Sequence, residues 1–100
     1  MDTMYEYSIP KYTMTLGSYT QAKNMVVEHA TRWLLNMSDK DLKQKKRYTV
    51  SIFKYSDTAD KYEPYLNVVG YRNADGVVIK CKKFTVRMSM EKARKFLLAH

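Results

Sequence analysis

Ser18 and Gln21 open a stretch in which Ala22, Met25, Val26, Ala30, Trp33, Leu34 and Met37 recur at the three- and four-residue spacing of one helical face. Asn24, Glu28 and Thr31 take the other face. The serine oxygen and the glutamine side chain can satisfy each other's orphan backbone N–H groups, the pattern of a capped helix start. A helix with one apolar stripe gains most of its stability from the surface it covers, so the rest of the chain must supply that surface. Trp33, near the centre of the stripe, is expected to be its main anchor because no neighbour has as much area to bury.

That surface reads as strands. Tyr48, Val50 and Ile52 alternate with Thr49, Ser51, Phe53 and Tyr55, which sets the first group toward the helix and the second away from it. A polar loop is expected from Ser56 to Pro64, followed by a strand from Tyr65 to Arg72 and a hairpin turn at Asn73-Ala74-Asp75-Gly76, whose glycine can adopt a left-handed conformation. That turn sets Arg72 against Val77, Gly70 against Ile79 and Val68 against Cys81 on one face. It sets Tyr71 against Val78, Val69 against Lys80 and Asn67 against Lys82 on the other. In the last strand the apolar phase shifts from Val77, Ile79 and Cys81 to Phe84, Val86 and Met88. One extra residue at Lys82-Lys83, a β-bulge, accounts for the shift and points both lysines outward. Before the helix, Tyr5 to Leu16 alternates as an edge strand or two short pieces, because Pro10 has no N–H for a ladder bond. Ser89 and Glu91 begin a closing helix with Met90, Ala93, Phe96 and Leu97 on its apolar face. The expectation is an α+β fold in one domain over residues 1–100, in the order β-α-β-β-β-α, with an antiparallel sheet and both helices packed on one face.

One hundred residues leave room for one core, and a composition 45% hydrophobic and 28% charged puts the chain in the globular range. The net charge of +8 is unevenly distributed: Lys11, Lys23 and Arg32 cancel Asp2, Glu6 and Glu28, so the surplus begins after Met37. Such asymmetry marks a face for an anion, or else a solvated surface. Cys81 is the single cysteine, which excludes a disulfide framework and a thiolate metal site and fits a cytoplasmic setting. The acidic, polar amino terminus is unlike a signal peptide, and no apolar run reaches the length of a membrane span.

Catalytic chemistry finds little to work with. His29 sits at the edge of the helical stripe, where a packed structural histidine is expected; His100 is terminal, Cys81 reads as a small buried hydrophobe, and no carboxylates pair in a recognisable frame. No cofactor or metal is expected, and the chain reads as non-enzymatic. The constellation that remains is the face of the sheet turned away from the helices, where Phe53, Tyr55, Tyr65 and Tyr71 interleave with Lys80, Lys82, Lys83 and Arg87. Cations neutralise phosphates and aromatic rings stack on unpaired bases, which is the chemistry of nucleic-acid binding. Ser38 to Arg47 reads as a turn or short helix carrying Lys43, Lys45, Lys46 and Arg47, a basic loop able to grip the same backbone.

The order helix, three strands, helix is similar to that of the double-stranded-RNA-binding domain, and Ser89-Met90-Glu91-Lys92-Ala93-Arg94-Lys95 resembles the basic start of that family's second helix. The Gly-Pro-His signature of that family is not present between Ser56 and Pro64. Tyr48 to Leu98 also resembles the three-strand-plus-helix arm-binding domains of phage integrases, through the phrase Phe84-x-Val86-x-x-x-x-Glu91-x-Ala93-x-x-Phe96-Leu97. Both resemblances imply nucleic acid as partner, and neither assigns the chain to a family. The expected function is a small basic module that holds DNA or RNA through Phe53, Tyr55, Tyr71 and the surrounding cations. The alternative is a small adaptor or inhibitor, of the kind viruses and phages encode, that offers the same face to an acidic or nucleic-acid-handling protein. A homodimer through the outer sheet face is a further arrangement that this pattern allows.

Overall fold

A computed structural model describes the backbone of residues 7–9 and 14–99 and the side chains of residues 17–99. In chain order the elements are β1 (Tyr7–Ile9), β2 (Met14–Leu16), α1 (Tyr19–Leu35), α2 (Asp39–Lys43), β3 (Tyr48–Ser56), β4 (Lys61–Asn73), β5 (Gly76–Lys80), β6 (Thr85–Ser89) and α3 (Met90–Leu98). The strands form one antiparallel sheet in the order β2-β1-β3-β4-β5-β6. The amino-terminal strand is two short pieces that pair with each other, and β1 continues onto β3 through Tyr7–Lys54 and Ser8–Phe53. Pro10, between the two pieces, lies outside the described residues.

Serine caps start all three helices of the described residues. Ser18 Oγ accepts from Gln21 N–H (3.2 Å), Ser38 Oγ from Asp41 N–H (3.2 Å) and Ser89 Oγ from Lys92 N–H (3.1 Å), each supplying a partner for an orphan donor of the first turn. From its cap, α1 crosses one face of the sheet, and Ala22, Val26, Ala30 and Leu34 lie fully buried against Tyr48, Val50, Ile52, Leu66, Val68, Val77 and Ile79. Beside it α3 inserts Ala93 into the same cluster, so both helices lie on one face and the α+β expectation holds. Each fully buried Val, Leu or Ile side chain contributes about 1.5–3 kcal/mol. Gly70 allows the close approach: a Cβ there would sit 3.2 Å from Leu34 Cδ1.

The buried stripe is rotated from the expected one. Thr31, assigned to the solvent side, is fully buried, and its hydroxyl donates to Val27 O at 2.6 Å, which removes the cost of burying it. Trp33 is half-buried at the rim instead of anchoring the centre, its ring 5.7 Å from that of Tyr48. Leu34 and Val26 are the large side chains of this helix that are fully buried.

Two expected irregularities fall elsewhere. There is no bulge at Lys82-Lys83. The stretch from Val77 to Met88 is a hairpin, with Val77 opposite Met88, Ile79 opposite Val86 and Lys80 opposite Thr85, closed by Cys81 N–H to Phe84 O at 2.9 Å. Inward positions are therefore odd-numbered in β5 and even-numbered in β6, and a tight turn produces the phase shift that a bulge would also have produced. The fourth strand departs from the helix–three-strand–helix order of the double-stranded-RNA-binding domain and from the three-strand-plus-helix order of the integrase domains. A bulge does occur in β4, where Ile52 pairs with Leu66 and Phe53 with Pro64, leaving Tyr65 as the extra residue. Ser56 to Pro64 is mostly strand, with only Asp57 to Asp60 in the turn; a bulge is one of the few places a strand admits proline. The expected hairpin at Asn73–Gly76 is present, with Asn73 paired to Gly76 and φ +149° at the glycine, where an added Cβ would collide with the Met88 carbonyl. Among the described residues, no helix is long and apolar enough to cross a membrane.

Candidate nucleic-acid interface

The register of β3 to β6 determines which side chains share the helix-free face. One cross-strand row is Thr49, Val69, Lys80 and Thr85, the next is Tyr71, Val78 and Arg87, and Ser51 pairs with Asn67 beyond them. The expected pairs Arg72–Val77, Gly70–Ile79, Tyr71–Val78 and Val69–Lys80 all form. Those through Cys81 and Lys82 do not, because β5 ends at Lys80. Phe53, Tyr55, Tyr62, Pro64, Asn73, Gly76 and Ser89 complete the outward positions of the four strands, and none of the sixteen is acidic.

Tyr71 is the centre of this face. Arg47 Cζ lies 5.4 Å from its ring centroid and Lys80 Nζ 5.5 Å, and Arg87 stands in its row one strand beyond Val78. At a solvated site each such contact contributes about 0.5–1 kcal/mol, enough to orient a side chain and too little to commit its charge. Val78 points to this helix-free side, between Tyr71 and Arg87 in the row, and is nonetheless 3% exposed. Arg47, Lys80 and Arg87 are exposed. Phe53 stands farther along β3, where an uncharged open groove of about 520 Å³ runs past Thr49, Ser51, Asn67 and Val69. Ser51 Oγ donates to Asn67 Oδ1 at 2.9 Å in its floor. Sequence reasoning missed this neutral strip, although the alternation that located Phe53 also placed Ser51 and Thr49.

The other expected site residues scatter. Lys46 Nζ bridges to Asp41 Oδ1 at 3.1 Å, and this hydrogen bond, assisted by Ser38, holds the Asp41 carboxyl below the ordinary carboxylate range against a smaller opposing effect of burial. Lys43 and Lys45 are exposed around the turn that follows α2, with Lys45 in a left-handed conformation at φ 53°. Tyr55 lies near the tip of the β3–β4 hairpin, edge-on to Tyr62 at 5.4 Å and hydrogen-bonded through its hydroxyl to Asp60. Lys82 is exposed in the β5–β6 turn.

Lys83 and Tyr65 belong to the other side. Lys83 Nζ lies 4.9 Å from the Tyr65 ring centroid and 5.6 Å from that of Tyr19, the first residue of α1; Lys54 Nζ lies 5.2 Å from Tyr65. Tyr19, Tyr65 and Cys81 pack against the core cluster. Burial and then the neighbouring Cys81 raise the Tyr19 phenol above its ordinary value, Tyr65 adding to the rise and Lys83 opposing it. The bulge turned Tyr65 to the helix side, and the turn carried Lys83 with it.

His29 lines a cavity of about 370 Å³ with Arg32, Trp33, Asn36, Met37 and Asp41, so a histidine and a carboxylate share one hollow. That carboxylate is tied to Lys46, and no serine, threonine, cysteine or lysine lines the cavity. Among the described residues, no three or more His, Cys, Asp and Glu side chains are grouped to hold a metal ion. Comparison with protein-family models, curated proteins and solved structures finds nothing that matches this chain.

Proposed function

We propose that the chain is a non-enzymatic binding module that holds single-stranded nucleic acid, DNA or RNA, across the helix-free face of its sheet. Arg47, Lys80 and Arg87 take phosphates, and Tyr71 and Phe53 offer ring surface to unpaired bases. One observation carries the reading: the Tyr71 ring has Arg47 at 5.4 Å and Lys80 at 5.5 Å on a face with no acidic side chain at any outward position of β3 to β6. The neutral groove past Phe53 extends that face, and its Ser51 and Asn67 side chains are bonded to each other, so little sequence preference is expected.

The same groove supports a second reading, a small adaptor that lays this face on an acidic or nucleic-acid-handling protein, since an uncharged strip beside a basic cluster also suits a protein interface. Anisotropy titrations with labelled single-stranded and duplex DNA and RNA, repeated across salt concentrations, separate the two. Three phosphate contacts on a single strand give a logarithmic salt slope of about −2, with single strands bound more tightly than duplexes. Absent or salt-insensitive binding would sink the nucleic-acid reading and leave the adaptor.

A further inference from the structure

Among the described residues β6 ends the sheet, pairing with β5 on one side and with no strand on the other. The bond from Cys81 N–H to Phe84 O fixes the direction of its backbone groups. Hydrogen-bonded and non-bonded pairs alternate along an antiparallel ladder, so Val86 and Met88 turn their N–H and C=O groups toward β5, while Thr85 and Arg87 turn theirs to the open edge. Just inside that edge a cavity of about 240 Å³ opens between α1, β6 and α3, with Val27, Val86, Met88 and Phe96 in its walls and Lys23, Arg87 and Lys92 also lining it. No acidic side chain lines it, and none of the three cations is in an ion pair among the described residues.

We infer that this edge binds an extended acidic peptide segment of a partner protein, which adds a strand beside β6, places one bulky apolar side chain in the cavity and sets its carboxylates against Lys23, Arg87 and Lys92. Three observations select that occupant. The cavity falls below the roughly 300–1,000 Å³ of small-molecule sites and suits a single side chain. The outward N–H and C=O groups of Thr85 and Arg87 match a peptide backbone, which a nucleic acid does not have. A second copy of this chain would bring its own charge of +8 to a cationic rim, whereas an acidic segment meets complementary charge. The inference does not rest on the outer-face function: Arg87 is common to both sites, but Lys23 and Lys92 line the cavity and Arg47, Tyr71 and Lys80 do not.

The test uses the intact chain and a fluorescein-labelled peptide of sequence DVELEVD, followed by anisotropy. Saturable binding is expected, weakened about fivefold or more by Lys92→Glu and by Thr85→Pro, which removes an outward N–H at the first residue of an edge strand. The same peptide with alternate backbone nitrogens methylated tests strand addition without altering the protein, and it should bind at least about tenfold more weakly. The unmodified peptide should still bind an Arg47→Ala/Lys80→Ala variant, whatever that variant does with nucleic acid. Absence of saturation up to about 1 mM overturns the inference, as does equal binding of the methylated peptide or displacement of the peptide by oligothymidylate from that variant.

Discussion

Two clusters in this molecule are built from the same residue types at nearly the same distances. On the helix-free face Tyr71 lies 5.4 and 5.5 Å from Arg47 and Lys80; on the helix side Tyr65 lies 4.9 and 5.2 Å from Lys83 and Lys54. Their surroundings differ. The first stands where no helix covers the sheet and no acidic residue occupies an outward position of β3 to β6. The second is tied to the core through Tyr19, Tyr65 and Cys81, and Glu63 sits directly across from Lys54. Aromatic rings beside cations do not by themselves mark a binding surface. What separates the two is whether the ring's other contacts are already committed to packing.

The comparison breaks most severely at Gly76, on which the hairpin beneath both clusters depends. Its φ of +149° and the Met88 carbonyl beside it leave no room for a methyl group, so Gly76→Ala is expected to cost about 3 kcal/mol or more, read by urea denaturation. Both clusters should be lost together as β5 and β6 shift.

Single ring truncations should separate them. Tyr71→Leu is expected to change stability by no more than about 0.5 kcal/mol while weakening oligonucleotide binding by about 1–3 kcal/mol, the worth of one stacked base. Tyr65→Leu should do the reverse, costing about 1 kcal/mol of stability through lost ring contacts and leaving binding unchanged. Denaturation and anisotropy on the same two variants check both halves. If the two variants behave alike, the division between the clusters is wrong.

What the sequence disclosed follows the same line. Ser18, Ser38 and Ser89 cap helices where serine before a polar first turn says they should, and Tyr48, Val50 and Ile52 point inward as their alternation requires. The outer cluster was legible because it depends only on strand parity and on the Asn73–Gly76 turn, whose glycine announces it. The helix-side cluster was not, because it depends on a bulge and a turn without a clear signal. Cys81-Lys82-Lys83-Phe84 contains no glycine, proline or asparagine, and a shift of apolar phase fits a bulge and a tight hairpin equally well. Pro64 within a strand was the available hint of the real bulge. Thr31 misled for another reason: its hydroxyl bonds back to Val27 O, so a polar residue behaves as a core one.

A smaller effect sharpens the helix-side half. Because burial and Cys81 raise the Tyr19 phenol, the folded chain holds that proton more tightly than the unfolded chain does. The stability this represents is complete below the ordinary tyrosine value of about 10 and is lost as pH rises through the folded-state value. Alkaline denaturation should therefore be shallower in Tyr19→Phe than in the wild type, and Lys83→Ala, which removes the opposing cation, should move the phenol titration higher still.

The division of labour between the clusters is tested most directly by the salt dependence of single-strand binding in two double variants. Arg47→Ala/Lys80→Ala removes two phosphate contacts and should flatten the logarithmic slope by about 1.4, whereas Lys54→Ala/Lys83→Ala, which removes as much positive charge from the other side, should leave it unchanged. Equal flattening in both would mean that only net charge matters. Flattening in the second alone would place the nucleic acid on the side assigned here to packing.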